Sequence, residues 1–544
     1  MAETLCKLGQ SAVEEKDSLQ IPTLPSGYRE TLTDGNVEVL IYYLGCLAQA
    51  SYIVRDRKAK TAFVIDPRRD VDVYTQELVK HHTQLKGVFL THIHADFVSG
   101  HAELAHCCDA DIYMGPGVKD RVGFAVHEVE DGKSIKLSDQ YSLQGLHTPG
   151  HTPESATWIL NATCVAGKVG SPVPLYAFTG DTLFIGSCGR PDLVGSLGHT
   201  AQEMAKLMYK SLHTKLMQLP DNVKVLPAHG AGSPCGKSLS DALWSTIGAE
   251  REKNPALQIK DVDGFVTFLT FGQPHSPQYF YDSVQANLKG AGTLASDILK
   301  AKWVSAASAL EEIGAQPDAA IILDTRDASQ FAAAHLPRAV NVPKGGAGGT
   351  VVEAHEGNFA IWAGTLIPKD DGIFIVATAG DEYESLERLA RIGYTAHAVI
   401  IGGPPEWQAD GIELESQQQI YPRDEQTIGQ LCDESSVVVD VRTPDEFASN
   451  HMSKAVNWPL AKIREHADTA DRSKTHYCYC ASGFRSTIGS SVLSRLGLTA
   501  VNVLGGFAVI SVDFPHHTST GKICPTMKKN AQAMKRLYEQ PDSQ

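Results

Sequence analysis

The chain has 544 residues, of which 42% are hydrophobic and 20% charged, and its formal net charge is -15. This length exceeds what a single hydrophobic core supports and predicts three or four domains. No apolar run approaches the roughly 20 residues that cross a bilayer, so we expect no membrane-spanning segment. The negative charge disfavours nucleic acid and anionic membranes as main partners and favours a small-molecule substrate.

The N-terminus and the cysteines bear on the cellular compartment. Residues 1–27 lack the apolar core of a secretory signal and contain acidic residues that transit peptides avoid, which predicts a flexible cytoplasmic extension. The eleven cysteines follow no disulfide-scaffold spacing and indicate a reducing compartment.

Residues 28–290 are predicted to form one large α/β domain. β-rich runs such as VEVLIYYL, TAFVIDP and GVFLTH alternate with helical stretches such as TAQEMAKLMYKSL. Loops after these runs carry the histidines, as expected where chemistry is placed at the ends of strands.

An internal repeat follows this domain. Asp324 aligns with Asp440 and Arg326 with Arg442, at a constant offset of 116 residues, and further on Gly402 aligns with Gly505 at an offset of 103. Each copy alternates strands and helices, which predicts two small parallel-sheet α/β domains over residues 291–415 and 416–525. A charged tail, 526–544, completes the predicted organisation.

Histidines and aspartates cluster in four turns of the large domain: THIHADFVSGH, LHTPGHTPES, FTGDTLFIGSCGRPD and VLPAHGAGS. An isolated H-x-H pair is more often packed than metal-bound, but four such turns in one domain favour a shared ion. Position 97, where a histidine would complete H-x-H-x-D-H, is Phe97. The candidate ligands and neighbours are His92, His94, Asp96, His151, Asp181 and His229.

In order and spacing these motifs resemble the metallo-β-lactamase superfamily, which implies an αββα sandwich. Within it they are most similar to the persulfide dioxygenases, in which O₂ oxidises a low-molecular-weight persulfide at a mononuclear Fe(II). The resemblance implies that His92, His151 and Asp181 hold the iron as a facial triad with open positions. Phe97 then disfavours the second metal of the dinuclear hydrolases.

The same resemblance assigns the remaining polar groups to the pocket. It implies hydrogen-bonding roles for His94, Asp96 and His229, although purely structural roles are an equal alternative. Cys188 and Arg190 are expected to line the pocket, where Arg190 would pair with a carboxylate of the thiol substrate.

A second motif, HYCYCASGFRST, places Cys480 at the start of a loop that leads into a helix. Backbone N–H groups and the positive helix end stabilise an anionic sulfur there, and Arg485 adds charge. Residues 416–525 thereby resemble a rhodanese domain, in which the loop cysteine carries a sulfane sulfur as a persulfide. Cys478 is expected to be a buried inert thiol. The loop that would cradle the persulfide continues with Ala481, Ser482, Gly483 and Phe484.

The first copy differs at the corresponding stretch, IVATAGDEYES. It has no cysteine, and Asp381 stands about where the arginine is expected. No cysteine occurs between Cys235 and Cys432, so this copy cannot carry sulfur as a cysteinyl persulfide. We predict a scaffolding or docking role for it.

Both resemblances point to sulfur chemistry, with glutathione persulfide as the expected substrate of the first site, O₂ as co-substrate and sulfite as product. The second site would exchange sulfur between persulfide, sulfite and thiosulfate, and the whole chain would serve sulfide detoxification. Two alternatives stay open: a zinc thioester hydrolase of the glyoxalase II kind, and a non-oxidising sulfur relay that acts through Cys480 alone. A homo-oligomer is compatible with the sequence.

Overall fold

The structure is a computed structural model. It describes residues 27–165, 168–193, 198–236, 239–273, 276–345, 358–520 and 525–538. These residues form two compact units. The first unit comprises the described residues up to Leu299 together with Glu387–Tyr394, and the second comprises the other described residues.

The first unit contains two mixed β-sheets. The first sheet has seven strands in sequence order, β1 to β7: Tyr28–Asp34, Val37–Leu44, Gln49–Asp56, Thr61–Ile65, Gln84–Phe89, Asp111–Met114 and His127–Glu128. The second sheet runs in the order β13-β12-β11-β10-β9-β8. Its strands, β8 to β13, are Ser134–Lys136, Tyr141–His147, Ala156–Val165, Lys168–Gly180, Lys224–Pro227 and Ser245–Thr246.

The two sheets pack face to face because their strands alternate between two apolar faces. In β2, Val39 and Ile41 enter the core between the sheets, whereas Leu40 faces the helices on the outer side. In β10, Trp158 enters the same central core and its Nε1 donates to the carbonyl of Leu90, 3.0 Å away. Trp158 therefore ties the second sheet to the end of β5, directly before the first histidine motif.

Helices cover both outer faces, which confirms the predicted αββα sandwich. Helices α1, α2 and α7 lie on the first sheet and α3 to α6 on the second, with α8 following. The ranges of α1 to α8 are Asp72–Lys80, His101–Cys108, Ala201–Thr214, Ile247–Lys253, Pro255–Gln258, Val262–Thr270, Tyr279–Lys289 and Leu294–Ile298. Helix α3 begins at a capping box in which Thr200 and Glu203 satisfy each other's backbone N–H groups.

The second unit contains two five-stranded parallel sheets of identical topology. Their orders are β14-β18-β17-β15-β16 and β19-β23-β22-β20-β21, so each copy places its second strand beside its third and fourth. Strands β14 to β18 are Lys302–Val304, Ala320–Asp324, Val340–Asn341, Gly372–Val376 and Ala398–Ile400. Strands β19 to β23 are Gln419–Ile420, Ser436–Asp440, Ala455–Asn457, Thr475–Tyr479 and Thr499–Val503.

Helices connect these strands in both copies. Helices α9 to α13 belong to the first copy: Ala306–Ala315, Ala328–Ala333, Phe359–Leu366, Glu382–Ala390 and Pro404–Ala409. Helices α14 to α19 belong to the second copy and its extension: Glu425–Leu431, Pro444–Ser449, Ile463–Ala467, Phe484–Arg495, Gly506–Asp513 and Pro525–Tyr538. The segment predicted to be a charged tail is helical as far as Tyr538. Contacts hold this helix in place, since Ala531 is buried and Lys535 pairs with Asp513 at 2.7 Å.

The aligned residues of the two copies make the same contacts. Arg326 donates hydrogen bonds from Nε and Nη2 to the carboxylate of Asp324. Arg442 donates from the same two nitrogens to Asp440. All four side chains are buried, so an unpaired partner would leave a charge without compensation. The buried pair is therefore a structural feature that the two copies share.

Within the described part of the chain, no helix combines the length and apolar character needed to cross a membrane.

Candidate metal centre and cysteine loop

The candidate ligands converge at one edge of the sandwich in the first unit. His92 and His94 lie in the loop after β5, His151 in the turn between β9 and β10, and Asp181 directly after β11. His229 follows β12, which pairs in parallel with β11 and so ends at the same edge. All of these side chains are almost fully buried.

His92, His151 and Asp181 form a compact ligand set. Their ligand atoms lie within 4.8 Å of one another, with Asp181 Oδ2 3.4 Å from His151 Nε2 and 3.8 Å from His92 Nε2. These separations are too long for direct hydrogen bonds and suit three donors around one ion.

Both histidines are oriented by hydrogen bonds at their other nitrogen. The Thr91 hydroxyl donates to Asp66 Oδ2 at 2.8 Å, so it accepts from His92 Nδ1, 2.9 Å away. His151 Nδ1 donates to the backbone carbonyl of Arg190 at 2.8 Å. In each ring the Nε2 lone pair is therefore left for the ligand cluster, as in metal-binding histidines.

Two glycines allow the ligand loops to approach so closely. Gly180 has a φ of +53°, and a Cβ there would lie 2.5 Å from Thr91 Oγ1. Gly150, directly before His151, would place a Cβ 2.5 Å from Met208 Cα. A side chain at Gly180 would displace Thr91, which orients His92, and a side chain at Gly150 would collide with Met208 in helix α3.

The two oxygens of the Asp181 carboxylate have different surroundings. Oδ1 accepts from His229 Nδ1 at 2.7 Å, while Oδ2 faces the two histidines without a hydrogen-bond partner. Burial opposes ionisation of Asp181, but the neighbouring histidines, His229 above all, outweigh it and lower its pKa. Burial also opposes protonation of His229, yet Asp181 and Asp96 raise its pKa well above the ordinary value. Asp181 is therefore held as an anion.

The residues fit a metal ion. His92 Nε2 and Asp181 Oδ2 are buried polar atoms that no group among the described residues satisfies, although buried polar atoms are ordinarily paired. Two imidazoles and one carboxylate are a donor set that accepts Fe(II) as well as Zn(II). A cation there would complete the bonding of all three side chains.

A second group, His94, Asp96 and His229, lies beside the first, with ligand atoms again within 4.8 Å of one another. Asp96 Oδ2 lies 2.8 Å from His229 Nε2 but without the directionality of a hydrogen bond. Phe97 fills the space where a further ligand would stand, with its ring centroid 4.5 Å from that of His94. The second group is therefore partly neutralised by its own members and bordered by an apolar ring.

The predicted pocket residues Cys188 and Arg190 already have surroundings of their own. Cys188 packs in the core under the second sheet, and burial raises its pKa to about 12. Arg190 is buried and forms two hydrogen bonds with Asp192, at 2.8 and 2.7 Å, and a third with the carbonyl of Pro234. Contact between Arg190 and a substrate carboxylate would have to compete with Asp192.

Sequence reasoning missed several residues at this centre. Cys235 brings its sulfur within 4.8 Å of ligand atoms of Asp181 and His229, and burial raises its pKa well above the ordinary value. Asn287 in α7 donates to the carbonyls of His94 and Phe97, both at 2.8 Å. The six-residue spacing from His229 could have drawn attention to Cys235, whereas nothing in the sequence connects Asn287 with the site.

In the second unit, Cys480 directly follows β22 and its sulfur accepts a hydrogen bond from the Gly483 N–H, 3.1 Å away. Gly483 has a φ of +118°, which lets the loop turn its N–H groups inward before α17 begins. Phe507 N–H donates to the Cys480 carbonyl at 2.7 Å and fixes the loop from behind. Cys478 is buried, and burial raises its pKa to about 12, in agreement with an inert thiol.

Arg485 is positioned by Glu446 in α15. Two parallel hydrogen bonds of 2.7 and 2.8 Å join the guanidinium and the carboxylate. Burial alone would raise the pKa of Glu446, but Arg485 outweighs it and holds this pKa at about 2. The predicted contact of Arg485 with an anionic sulfur compound would therefore be shared with Glu446.

The strand register identifies the equivalent loop of the first copy. β15 pairs with β17 as β20 pairs with β22, so Val376 corresponds to Tyr479 and Ala377 to Cys480. Glu382, one residue beyond the expected Asp381, thus corresponds to Arg485. The first copy keeps the loop and carries an acidic residue in place of a basic one.

Comparisons with known proteins agree with both units. The model of the metallo-β-lactamase superfamily matches residues 44–229, and that of the rhodanese-like domain matches 305–410 and 425–512. Persulfide dioxygenase ETHE1, mitochondrial, from Bos taurus and from Homo sapiens is in each case 30% identical over 243 residues, which are 44% of this chain and 83% of the relative.

Two further similarities place these relatives in context. Hydroxyacylglutathione hydrolase cytoplasmic from Arabidopsis thaliana is 30% identical over 190 residues, covering 35% of this chain and 67% of its own. A crystal structure of a metallo-β-lactamase from Staphylococcus aureus subsp. aureus COL is 28% identical, covers 68% of this chain and 100% of its own, and has a TM-score of 0.57. The chain belongs to the metallo-β-lactamase superfamily and carries rhodanese-like domains in its second half.

We predict that Thr91→Val weakens metal binding about tenfold, because it removes the acceptor that orients His92 while preserving side-chain size. The dissociation constant of Co(II) or Fe(II) for the full chain measures the effect. Thr75→Val is the matched control, since Thr75 is equally buried and its hydroxyl donates only to a helix carbonyl, that of Asp72. Equal affinities of the Thr91 variant and the parent would contradict the prediction.

We predict that Phe97→His raises the metal content of the chain from about one ion toward two, because an imidazole would join the second group as a further ligand. Metal analysis of protein reconstituted with excess metal gives the number directly, and Phe97→Leu controls for loss of the aromatic ring. If the parent already binds two ions per chain, Phe97 does not exclude the second.

We predict that Glu446→Gln lowers the stability of the second unit at neutral pH but not in acid. Because the pKa of Glu446 falls from 4.5 to about 2 on folding, its stabilising effect is present above pH 4.5 and is lost as the pH falls toward 2. Urea unfolding of parent and variant between about pH 6 and pH 2 should show their stabilities converging at the acid end. Exposed Glu465→Gln should show no such convergence, and a pH-independent difference for Glu446→Gln would refute the assignment.

Proposed function

We propose that this protein is an Fe(II)-dependent persulfide dioxygenase joined to a sulfurtransferase. The observation that carries the proposal is the compact group of His92, His151 and Asp181, together with Phe97, which packs on His94 where the dinuclear pattern has a histidine. Three ligands on one side of an ion leave positions for O₂ and a substrate sulfur, and such open sites are typical of non-haem iron oxygenases. The persulfide dioxygenases of Bos taurus and Homo sapiens, similar over the first unit, support this reaction class.

The proposed reaction balances with one molecule each of persulfide, O₂ and water. The terminal sulfur of the persulfide gives up four electrons to O₂ and leaves as sulfite with two protons, while the inner sulfur departs as a thiol. Ferrous iron, when bound, supplies open coordination positions and electron transfer between the two substrates. Glutathione persulfide is the proposed substrate, and sulfide detoxification the proposed physiological role.

The residues of the chain hold this centre in place. Thr91 and the carbonyl of Arg190 fix the two imidazole rings, and His229 holds one oxygen of Asp181 so that the other stays directed at the ligand cluster. Burial of the whole set excludes bulk water and strengthens each of these interactions. The His229 ring lies between Asp181 and Asp96, close to the proposed reacting groups.

In the second half, the Cys480 thiolate attacks the outer sulfur of thiosulfate. A new bond forms between Cys480 and that sulfur, the sulfur–sulfur bond of thiosulfate breaks, and sulfite leaves with the bonding electron pair. The Gly483 N–H stabilises the anionic sulfur on Cys480, and Arg485 adds positive charge. The same steps in reverse would consume sulfite released by the first site.

Joining both activities in one chain raises the local concentration of the shared intermediates. The proposed domains are the dioxygenase over 28–290, a cysteine-free rhodanese-like domain over 291–415 and the sulfurtransferase over 416–525. The cysteine-free copy carries Ala377 and Glu382 at the positions of Cys480 and Arg485, which removes both the nucleophile and the positive charge.

A thioester hydrolase is the second candidate. The group of His94, Asp96 and His229 favours it, since dinuclear hydrolases of this fold need further ligands beside the first three. Hydroxyacylglutathione hydrolase is also among the relatives at 30% identity. This candidate requires zinc and a metal-bound hydroxide instead of iron and O₂.

Metal analysis combined with an oxygen electrode separates the two candidates. We expect about one iron per chain and O₂ consumption that depends on added glutathione persulfide, with one sulfite formed per O₂. Zinc in place of iron, together with thioester hydrolysis and no persulfide-dependent O₂ uptake, would establish the hydrolase instead. Asp181→Asn should abolish the O₂ uptake while leaving sulfur transfer unchanged.

The sulfurtransferase is tested by Cys480→Ser in the same assay series. This variant should lose thiosulfate-dependent persulfide formation and keep its O₂ uptake with added persulfide. Cys478→Ser serves as the matched control on the neighbouring buried thiol. Sulfur transfer that persists in the Cys480→Ser variant would contradict the assignment of Cys480 as the sulfur carrier.

A further inference from the structure

Helix α12 and Arg391, the residue directly after it, carry charges where the corresponding helix of the second copy carries serines. At the offset of 103 residues that aligns Ala377 with Cys480, Glu387, Arg388 and Arg391 align with Ser490, Ser491 and Ser494. All three charged side chains are buried. Buried charges are costly unless paired, so the first copy has gained a feature that its fold does not require.

Residues 387–394, which include Arg391, belong to the first compact unit. The Arg391 guanidinium forms two hydrogen bonds with Asp70, from Nε to Oδ1 at 3.2 Å and from Nη2 to Oδ2 at 3.1 Å. Its Nη2 also donates to Glu387 at 3.3 Å, and Nη1 lies 3.7 Å from the sulfur of Cys46. Arg68 is a second cationic partner of Asp70.

The backbone of Arg391 makes an independent contact. Its carbonyl accepts a hydrogen bond from the Val98 N–H at 2.7 Å. Val98 lies in the loop that carries His94, Asp96 and Phe97. One residue therefore holds two separate loops of the first unit, through its side chain at Asp70 and through its backbone at Val98.

Both loops lead directly to the metal ligands. At the start of the first loop, Asp66 accepts from the Thr91 N–H and hydroxyl, each at 2.8 Å, and Thr91 in turn orients His92. The carbonyl of Pro67 accepts from the Ser99 hydroxyl at 2.9 Å and from the Gly100 N–H at 3.0 Å. Hydrogen bonds thus join residues 66–70 to residues 91–100. Arg391 contacts these two loops at Asp70 and at Val98, away from the metal ligands.

We propose that Arg391 is a positioning residue of the metal centre, and that the cysteine-free repeat supplies it to fix the loops at 66–70 and 91–100. The proposal rests on the metal site of the proposed function but not on the identity of the substrate. It assigns a task to the copy that lacks the reactive cysteine. Arg391 touches neither substrate nor metal and acts through Asp70 and Val98.

The test measures metal binding by the full-length protein. Arg391→Gln should weaken Co(II) binding at least tenfold and alter the visible absorption bands of the bound Co(II), because the ligand loops lose their anchor. Arg391→Lys keeps the charge and should restore part of the affinity. The matched control is Arg326→Gln, which breaks a buried arginine–aspartate pair of the same repeat, where the guanidinium donates to Asp324 and to the carbonyl of Ala334.

A second variant keeps the test decisive if Arg391→Gln does not fold. Asp70→Asn removes the charge from the other side and should produce the same loss of affinity, and the double variant should bind no more weakly than either single one. Parental Co(II) affinity and spectrum in Arg391→Gln, or in Asp70→Asn where the former is insoluble, overturns the proposal. An equal loss in Arg326→Gln also overturns it, since the effect would then be general destabilisation.

Failure of the proposed function would look different. If the parent consumes no O₂ with persulfide but Arg391→Gln still weakens Co(II) binding relative to Arg326→Gln, the dioxygenase assignment falls and the role of Arg391 stands. If the parent consumes O₂ with persulfide but Arg391→Gln and Arg326→Gln bind Co(II) equally well, the dioxygenase assignment stands and the proposed role of Arg391 falls.

Discussion

The first unit is organised around a carboxylate whose two oxygens face different partners. Asp181 gives Oδ1 to the buried ring of His229 and turns Oδ2 toward His92 and His151. Oδ2 is buried, and no group in the described part of the chain donates a hydrogen bond to it. His92 and His151 donate from Nδ1 to the Thr91 hydroxyl and to the Arg190 carbonyl, so each ring likewise turns Nε2 toward the ligand cluster. The loops therefore stay folded around a cluster of donors that only a cation completes.

Much of this arrangement could be predicted from the sequence. The ligands follow apolar runs, and strand ends that share a sheet edge bring such residues together, so His92, His151, Asp181 and His229 could be grouped before any coordinates were known. The two copies in the second half were recognisable from a constant offset. The buried Asp–Arg pairs at 324 and 326 and at 440 and 442 explain why this register was kept.

The partners of the charged groups could not be predicted. Arg190 and Arg485 were expected to meet substrates, whereas Asp192 and Glu446 already neutralise them. A carboxylate 39 residues away in sequence, as Glu446 is from Arg485, leaves no local pattern. The same holds for Asn287, which reaches the loop of His94 only through the packing of α7. The residue that corresponds to Arg485 is Glu382 and not Asp381. The strand register decides this correspondence, and it cannot be read from the composition of the loop.

The two parallel-sheet copies separate what maintains a fold from what performs a reaction. Each copy has the same strand order, the same buried ion pair and the same stacking of a histidine on a phenylalanine, His335 on Phe331 and His451 on Phe447. Only one of them has a thiol at the loop mouth. If Cys480 carries sulfur as proposed, the second half holds one sulfur atom per chain, although it contains two domains of the same fold. Sulfur on Cys480 would then reach its acceptor in one transfer, without passing to a cysteine at the corresponding position of the other copy.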